Sequence, residues 1–470
     1  MGAKPKIGIL PIAKKNQYQG DLEKFIDYIK NSYSSEVSFE VLMPTGMLFD
    51  EDKILNTVED MEKKDVDLLL FVVGSWIFSS HIITSVSDLT TPFILYGISD
   101  QIANGNLGAS LQIKYVLQEM GKNFLYLCGK VDDQENHNRI KKYLTAAWVK
   151  KRMRNRKIAV IGGKPMMMYQ TQVNEFDWKR VFGVDFPQFD AVQVFTEIKN
   201  IDEKEAKKIA DEFLSKIDKI KWELDTGEKF TYKAILSQAK MFLAFKRMKK
   251  LYDIDIFANK CIPEMVSKVY GYAYAACIAT CMLNEEGIMT ACEADVPAAL
   301  SMYILNLISK DKVFFADIAK LDKQKKLLSF FNCGTAPISL ADKKRGISLW
   351  PIPRLVADEA IPYEYWTGEM EGASISFELE NDRVVTLLRI GGNGNTLRFH
   401  VCRAVSTPRD VREGEEQGIR WPGFGICLKN DPSLFLQNVT GHHYSIVYGD
   451  WMQELSYLAQ ILGIKFVFDE

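Results

Sequence analysis

Histidine is scarce in this 470-residue chain: there are five, against 59 Lys and Arg and 61 Asp and Glu. Any chemistry that needs imidazole therefore rests on very few positions. An excess of charge is missing too. The formal net charge is −2, which excludes a global basic field for holding nucleic acid or an anionic membrane. No apolar run approaches the roughly 18 residues of a membrane span. The first run, Ile7 to Ile12, is short and is broken by Gly8 and Pro11. Gly2 is followed four places on by Lys6, where a myristoylation motif wants Ser or Thr. None of the eight cysteines forms a CxxC pair, and most sit in apolar surroundings such as FLYLC and AACIATC. They read as free, buried thiols of a reducing compartment. A cytoplasmic, unanchored protein is expected. There is no GxSxG elbow, no HExxH and no P-loop. The turn VIGGKP at 160–165 follows a strand but lacks GxGxxG, so a dinucleotide site is not supported.

The pattern that is present is alternation. Over the first 155 residues, the runs KIGILPI, VSFEVLM, VDLLLFVV, PFILYG and NFLYLCG are separated by amphipathic stretches. One of these, DLEKFIDYIKN, sets Leu22, Phe25, Ile26 and Ile29 at helical spacing. Such alternation predicts parallel βαβ units in a doubly wound sheet. The basic stretch Arg139 to Lys157 reads as a solvated helix face with Tyr143, Leu144, Ala147 and Trp148 packed inward. A second α/β unit opens at KIAVIGG and continues through a strand-like AVQVF, a helix from about Thr231 to Leu251, a strand-like GIMTACEAD, a helix PAALSMYILNLIS and a last strand KVFFAD. After about Lys325, ASISFELEND, RVVTLLRIG and TLRFHVCRAVS alternate like antiparallel strands, and GGNGN at 391–395 reads as a hairpin turn. The expected fold class is α/β: two doubly wound parallel-sheet domains at 1–155 and 156–325, then a mostly antiparallel β domain at 326–470 with a final helix, WMQELSYLAQILG.

Glu293 is the most telling carboxylate. It ends a strand-like segment, where open α/β sheets place ligands, while Asp295 is the better candidate to cap the helix that follows. Asp317 likewise ends an apolar run. Two carboxylates ending two neighbouring strands, 24 residues apart and joined by one helix, can converge on a cation. With one neutral histidine they make an O,O,N set suited to Mn²⁺ or Mg²⁺. The dihistidine His442-His443 supplies the candidate. Consecutive side chains of an extended segment point to opposite faces, so one ring can ligate while the other bonds substrate or backbone. His137, in the polar stretch DDQENHNRI, reads as a surface residue.

The segment ACEADVPAALSMYILNLISKDKVFFAD resembles the core of the L-fucose isomerase family, relatives of the arabinose isomerases. It carries Glu293, Asp295, Ser301-Met302 and Phe315-Ala316-Asp317 at that family's spacing. The resemblance implies a metal-dependent aldose–ketose isomerase of a pentose or 6-deoxyhexose, of the L-fucose, D-arabinose or L-arabinose type, working through an enediol. It implies Glu293, Asp317 and His443 as metal ligands, with Mn²⁺ as the cofactor and Mg²⁺ or Co²⁺ as substitutes. Glu293 and Asp317 are also the implied acid/base pair. Substrate contacts fall to His442 and to Trp76, which in the family can come from a neighbouring subunit. Trp421, in the turn-like RWPGFG, is a further ring for stacking on sugar. Asn332 stands where relatives often carry histidine, so it is assigned to the pocket and not to the metal. Trp350 and Trp366 are assigned to core or interface. A homotrimer or homohexamer with sites between subunits is implied. The competing readings are a non-catalytic sugar-binding module and an isomerase-like enzyme acting on a modified sugar.

Overall fold

Strands buried on both faces are uniformly apolar, and β3 (Leu68–Val73, LLLFVV) is buried at every residue. It is the centre of the first of two compact units, residues 1–152 with 453–463. The structure, a computed structural model, describes residues 4–16, 20–34, 39–99, 105–225, 227, 229–266, 274–352, 372–409 and 421–470. Around β3 stand β1 (Lys6–Ile12), β2 (Glu40–Leu42), β4 (Phe93–Ile98) and β5 (Leu125–Gly129), in the order β2-β1-β3-β4-β5. All pairs are parallel, as the alternation of strand and helix predicts. The helices are α1 (Gly20–Ser34), α2 (Glu51–Lys63), α3 (Ser80–Val86), α4 (Asn106–Glu119) and α5 (Gln134–Met153). In α2, Asp50 accepts from the Lys53 backbone N–H at 2.9 Å as N-cap, and Ile54, Val58 and Met61 turn inward. In α5, Tyr143, Leu144 and Ala147 are buried as expected. His137 is not a surface residue. It is buried beside the rings of Phe25 and Tyr28, with Nε2 2.9 Å from the Val131 carbonyl. Polar neighbours in sequence do not reveal which side of a helix a ring takes.

The second unit spans 153–452 and 464–470. Its parallel sheet has the order β10-β9-β6-β7, from β6 (Ile158–Ile161), β7 (Gln188–Phe189), β9 (Ile256–Asn259) and β10 (Thr290–Cys292). The helices here are α6 (Glu175–Phe182), α7 (Ala191–Lys199), α8 (Glu203–Leu214), α9 (Tyr232–Leu251), α10 (Cys277–Glu285) and α11 (Val296–Ser309). The strand-like AVQVF is instead the start of α7. Its Val–Gln–Val alternation suggests a strand, but Ala191, Val194 and Ile198 are the buried positions, at helical spacing. The Gln193 side chain also accepts from the Asp190 backbone N–H at 2.8 Å, closing the helix start. A small sheet joins β8 (Lys219–Ile220), β13 (Ser348–Pro351) and β14 (Ala373–Ser376). Trp350 lies on β13 and is 9% exposed, while Trp366 lies outside the described residues.

The antiparallel sheet is closed. Its strands are β11 (Phe314–Asp322), β12 (Leu327–Phe331), β15 (Val384–Gly391), β16 (Arg398–Thr407), β17 (Gly423–Cys427) and β18 (His443–Tyr448). They run β15-β18-β11-β12-β17-β16, and β16 pairs back onto β15, so six strands form a barrel. The last strand, β19 (Lys465–Asp469), adds in parallel to β16. Two helices accompany this sheet in the chain, α12 (Pro432–Asn438) and α13 (Met452–Leu462); residues 453–463 belong to the first unit. One apolar core runs through the second unit, from Phe242 and Phe245 of α9 to Phe330, Phe424 and Tyr444 of the barrel. GGNGN does connect β15 to β16. Among the described residues, no helix is long and apolar enough to cross a membrane.

Asp317 corrects one expectation. It does not end a parallel strand beside that of Glu293. It lies within β11, which is antiparallel, directly opposite His443 of β18. The run VFFAD does not by itself separate parallel from antiparallel pairing; the residues after it, IAKLD, continue the same strand.

The barrel also fixes the bend that precedes β18. A Cβ on Gly391 would overlap the Thr440 side chain. Gly391→Val should therefore lower unfolding free energy by about 1–3 kcal/mol through overpacking, read as a reduced urea midpoint with unchanged slope.

Candidate metal centre

Strand β10 ends at Cys292, on the carboxyl edge of the second parallel sheet. The next two residues, Glu293 and Ala294, adopt φ of 55° and 45°. Left-handed backbone costs a non-glycine residue roughly 1–3 kcal/mol and persists only where surroundings enforce it. They do so here. The Ala294 backbone N–H donates to the Asn259 carbonyl at 3.1 Å, and that of Asp295 donates to the Cys292 carbonyl at 3.2 Å. The turn carries the Glu293 side chain off the sheet edge and starts α11 at once.

Asp295 caps α11, its Oδ1 accepting from the Ala298 backbone N–H at 2.8 Å. Its other oxygen is shared. Oδ2 accepts from Arg389 Nη1 at 2.7 Å and from His443 Nδ1 at 2.7 Å. All three side chains are fully buried. Burial opposes the charge on Asp295, but the Arg389 guanidinium and His443 outweigh it and hold its carboxyl at about 2. An ionised carboxylate only accepts, so the His443 proton in this bond sits on Nδ1. The other ring nitrogen faces a cluster of carboxylates.

His443 Nε2 is 3.1 Å from Glu293 Oε2 and 3.1 Å from Asp317 Oδ1. Two ligands at right angles around an ion with bonds of 2.0–2.1 Å stand about 3 Å apart. Despite that proximity, Glu293 Oε2 and His443 Nε2 are both buried without a hydrogen-bond partner among the described residues. Buried polar atoms are nearly always paired, so two orphans facing each other fit a site for a cation. Asp317 Oδ2 is held by Asn332 Nδ2 at 3.1 Å. Burial pushes the Asp317 carboxyl up, and His443 and Asn332 more than reverse this, lowering it. For His443, burial disfavours the charge, but Asp317, Asp295 and Glu293 together raise it well above the ordinary value. A pocket that draws a proton so strongly onto an imidazole is one that a divalent cation can relieve instead.

His442 joins the same cluster. Its Nε2 is 3.9 Å from Glu293 Oε2 and 3.8 Å from Asp317 Oδ1. Glu293, His442 and His443 each bring one ligand atom within 4.8 Å of the other two. The two rings do not point to opposite faces: their centroids are 3.8 Å apart. Alternation fails because His442 belongs to the bend before β18, not to the strand. Gln170 Nε2 lies 3.1 Å from His442 Nδ1 and orients the ring. Burial and the neighbouring His443 both lower the pKa of His442.

Of the other expected residues, Asn332 is 3% exposed and engaged. Besides holding Asp317, its Oδ1 accepts from Thr335 Oγ1 at 2.5 Å. Trp421 is 8% exposed and packs on Phe331 with centroids 5.0 Å apart. Phe331 in turn pairs with Asp317 across β11 and β12. Trp76 belongs to the first unit, 41% exposed, near Gly105 and Gly108 at the start of α4. It is not among the residues that form the cluster. Arg389 and Gln170 join the site through tertiary contacts that sequence reading does not reach. For Arg389 there is a signal: a single arginine inside the mostly apolar strand VVTLLRIG. Gln170 carries none.

A cleft adjoins the cluster, lined by Glu293, Asn259, Cys292 and Cys333 and by apolar groups including Met166 and Ile262.

No protein-family model matches the chain. Among curated proteins, it is similar to a sulfoquinovose isomerase of Priestia aryabhattai, at 20% identity over 453 residues, covering 94% of this chain and 93% of that one. A sulfoquinovose isomerase of Clostridium sp. is 22% identical over 459 residues, covering 92% of each. One of Alkalicoccus urumqiensis is 21% identical over 400 residues, covering 82% of each. These relatives support a sugar aldose–ketose isomerase over L-fucose isomerase in particular. A solute-binding protein of Burkholderia multivorans overlaps 66% of this chain and 95% of its own at 11% identity, but the TM-score of 0.19 is too low to indicate a shared fold.

Removing the Asp295 carboxylate strands a buried guanidinium. Asp295→Ala should lose about 3–5 kcal/mol of stability, whereas Glu293→Gln should stay within about 1 kcal/mol of wild type. The Asp295 carboxyl is depressed from 3.8 to about 2, so its contribution is complete above about pH 4 and disappears as pH falls toward 2. Urea melts across that range should show a flatter acid limb in Asp295→Asn.

Proposed function

We propose that this chain is a divalent-metal-dependent aldose–ketose isomerase, moving a proton between C1 and C2 of an open-chain sugar through an enediol. One observation carries the reading. Glu293, Asp317 and His443, drawn from two different sheets, meet with unpartnered Glu293 Oε2 and His443 Nε2 facing each other. The end-to-end likeness to sugar isomerases supports the reaction class. Those three residues would hold the ion, Mn²⁺ by preference with Mg²⁺ or Co²⁺ as substitutes. Bound there, it would stabilise the negative charge that builds on the sugar oxygens as the C–H proton leaves.

The residues of the chain do the rest. Glu293 Oε2 and Asp317 Oδ1 each lie 3.1 Å from His443 Nε2, and the two carboxylates would stand on opposite sides of the reacting carbons. One carboxylate takes the proton from carbon and returns it to the neighbouring carbon, while the other serves the oxygens. The Asn332 amide fixes one oxygen of Asp317 and leaves the other turned to the cluster. The Gln170 amide donates to His442 Nδ1, so the neutral ring carries its proton on Nε2, toward the two carboxylates. From there His442 donates to a sugar oxygen. Asp295 keeps the proton of His443 on Nδ1 and the lone pair on Nε2.

Within this reading, the relatives' substrate favours a modified hexose, a sugar with a sulfonate, over an unmodified pentose. Lys164 suits such a group. It lies on the loop that lines the cleft at Pro165 and Met166, and its Nζ rests 3.8 Å from the Tyr169 ring centroid. It pairs with no carboxylate among the described residues.

The purified protein, stripped with EDTA and supplied with Mn²⁺, should convert sulfoquinovose, L-fucose or an arabinose to its ketose. Absence of ketose from the whole panel would refute the proposal. Glu293→Gln should cut kcat by about 10²–10⁴-fold while remaining folded. His443→Ala should raise the Mn²⁺ concentration needed for half-maximal thermal stabilisation; an unchanged titration would remove His443 from the ligand set.

A further inference from the structure

The cleft beside Glu293 is mostly apolar. Its lining includes Met166, Ile262, Val266 and Ile352, and Thr335 within it already donates its hydroxyl to Asn332. Asn259 is different. It is the last residue of β9 and pairs in register with Cys292, one residue before Glu293. It is 2% exposed, and among the described residues its Oδ1 has no hydrogen-bond partner. Among the described residues the amide nitrogen reaches only the Met265 sulfur, at 3.6 Å, a weak acceptor. A leucine of similar size would fill this apolar setting without leaving a buried acceptor unpaired.

We propose that Asn259 is a specificity-determining residue whose side-chain oxygen accepts a hydrogen bond from a substrate hydroxyl beyond the reacting C1–C2 pair. This rests on the isomerase reading. Apolar pockets with one or two fixed polar groups use those groups to set orientation and choice of ligand. A buried acceptor built for a hydroxyl rejects an analogue lacking it far more strongly than a hydrophobic wall rejects a misfit, because the acceptor is then stranded. Asn259 is placed for this role. Its backbone carbonyl braces the strained turn at Ala294, and its side chain lines the cleft that Glu293 enters. The backbone task survives any change of side chain, so the two roles separate by mutation.

The test compares wild type with Asn259→Leu, both with Mn²⁺, on sulfoquinovose and its 3-, 4- and 5-deoxy analogues, with L-fucose and its deoxy analogues as a second series. Wild type should lose at least about 100-fold in kcat/KM on one deoxy analogue. Asn259→Leu should lose a similar factor on the parent sugar and almost nothing further on that analogue, so the discrimination collapses. Its melting temperature should equal or exceed that of wild type, and its Mn²⁺ titration should be unchanged. A uniform loss across parent and analogues, an unaltered parent kcat/KM, or a lowered melting temperature with weakened Mn²⁺ binding would each overturn the assignment. A wild type that turns over no sugar in either series overturns the isomerase reading and this inference with it. Turnover with intact discrimination in Asn259→Leu overturns this inference alone.

Discussion

The carboxylate of Asp295 joins three parts of the second unit at one buried point. One oxygen caps α11; the other binds Arg389 of β15 and His443 of β18. Helix α11 leads from the end of the parallel sheet into the barrel, so this single side chain ties the two sheets together where the cluster forms. A buried charge is tolerated only when paired and hydrogen-bonded, and here each of its oxygens is used. Arg389 extends the tie by donating to the Gln170 carbonyl at 3.0 Å, and Gln170 orients His442. Gly441 fits the same arrangement: a Cβ there would press on the Arg389 guanidinium.

Around this hub, rigidity and strain are divided between elements. The clustered side chains of His443 and Asp317 are mounted on paired strands of a closed barrel, so their separation is set by the backbone register. Glu293 arrives from the other sheet on two consecutive left-handed residues. That strain sits where Glu293 comes within 3.1 Å of His443 Nε2. An isomerase would gain from this division: the proton-transferring groups need fixed geometry more than they need reach. Asn259 and Glu293 line one cleft, and the Asn259 carbonyl also holds the strained turn, so both side chains depend on one backbone junction.

Part of this was legible in the residues alone. The doubly wound pattern of the first 155 residues was readable because parallel strands covered on both faces are uniformly apolar and the helices between them are amphipathic. The hairpin at GGNGN was readable from its turn residues. Glu293, Asp317 and the dihistidine could be picked out because few residue types hold a hard cation and histidine is rare here. AVQVF misleads because five alternating residues fit two periods, and the Asp190–Gln193 helix start settles which one forms.

Local sequence thus determined which side chains were available for the chemistry and which segments would be helix or strand, since both follow from residue type and short-range spacing. Tertiary structure alone decided which of them meet. That Asp317 faces His443 across an antiparallel pair, that both histidine rings turn to one side, and that Arg389 lies beneath them all depend on strand register and barrel closure. Those are contacts between residues tens to hundreds of positions apart, and no local pattern records them.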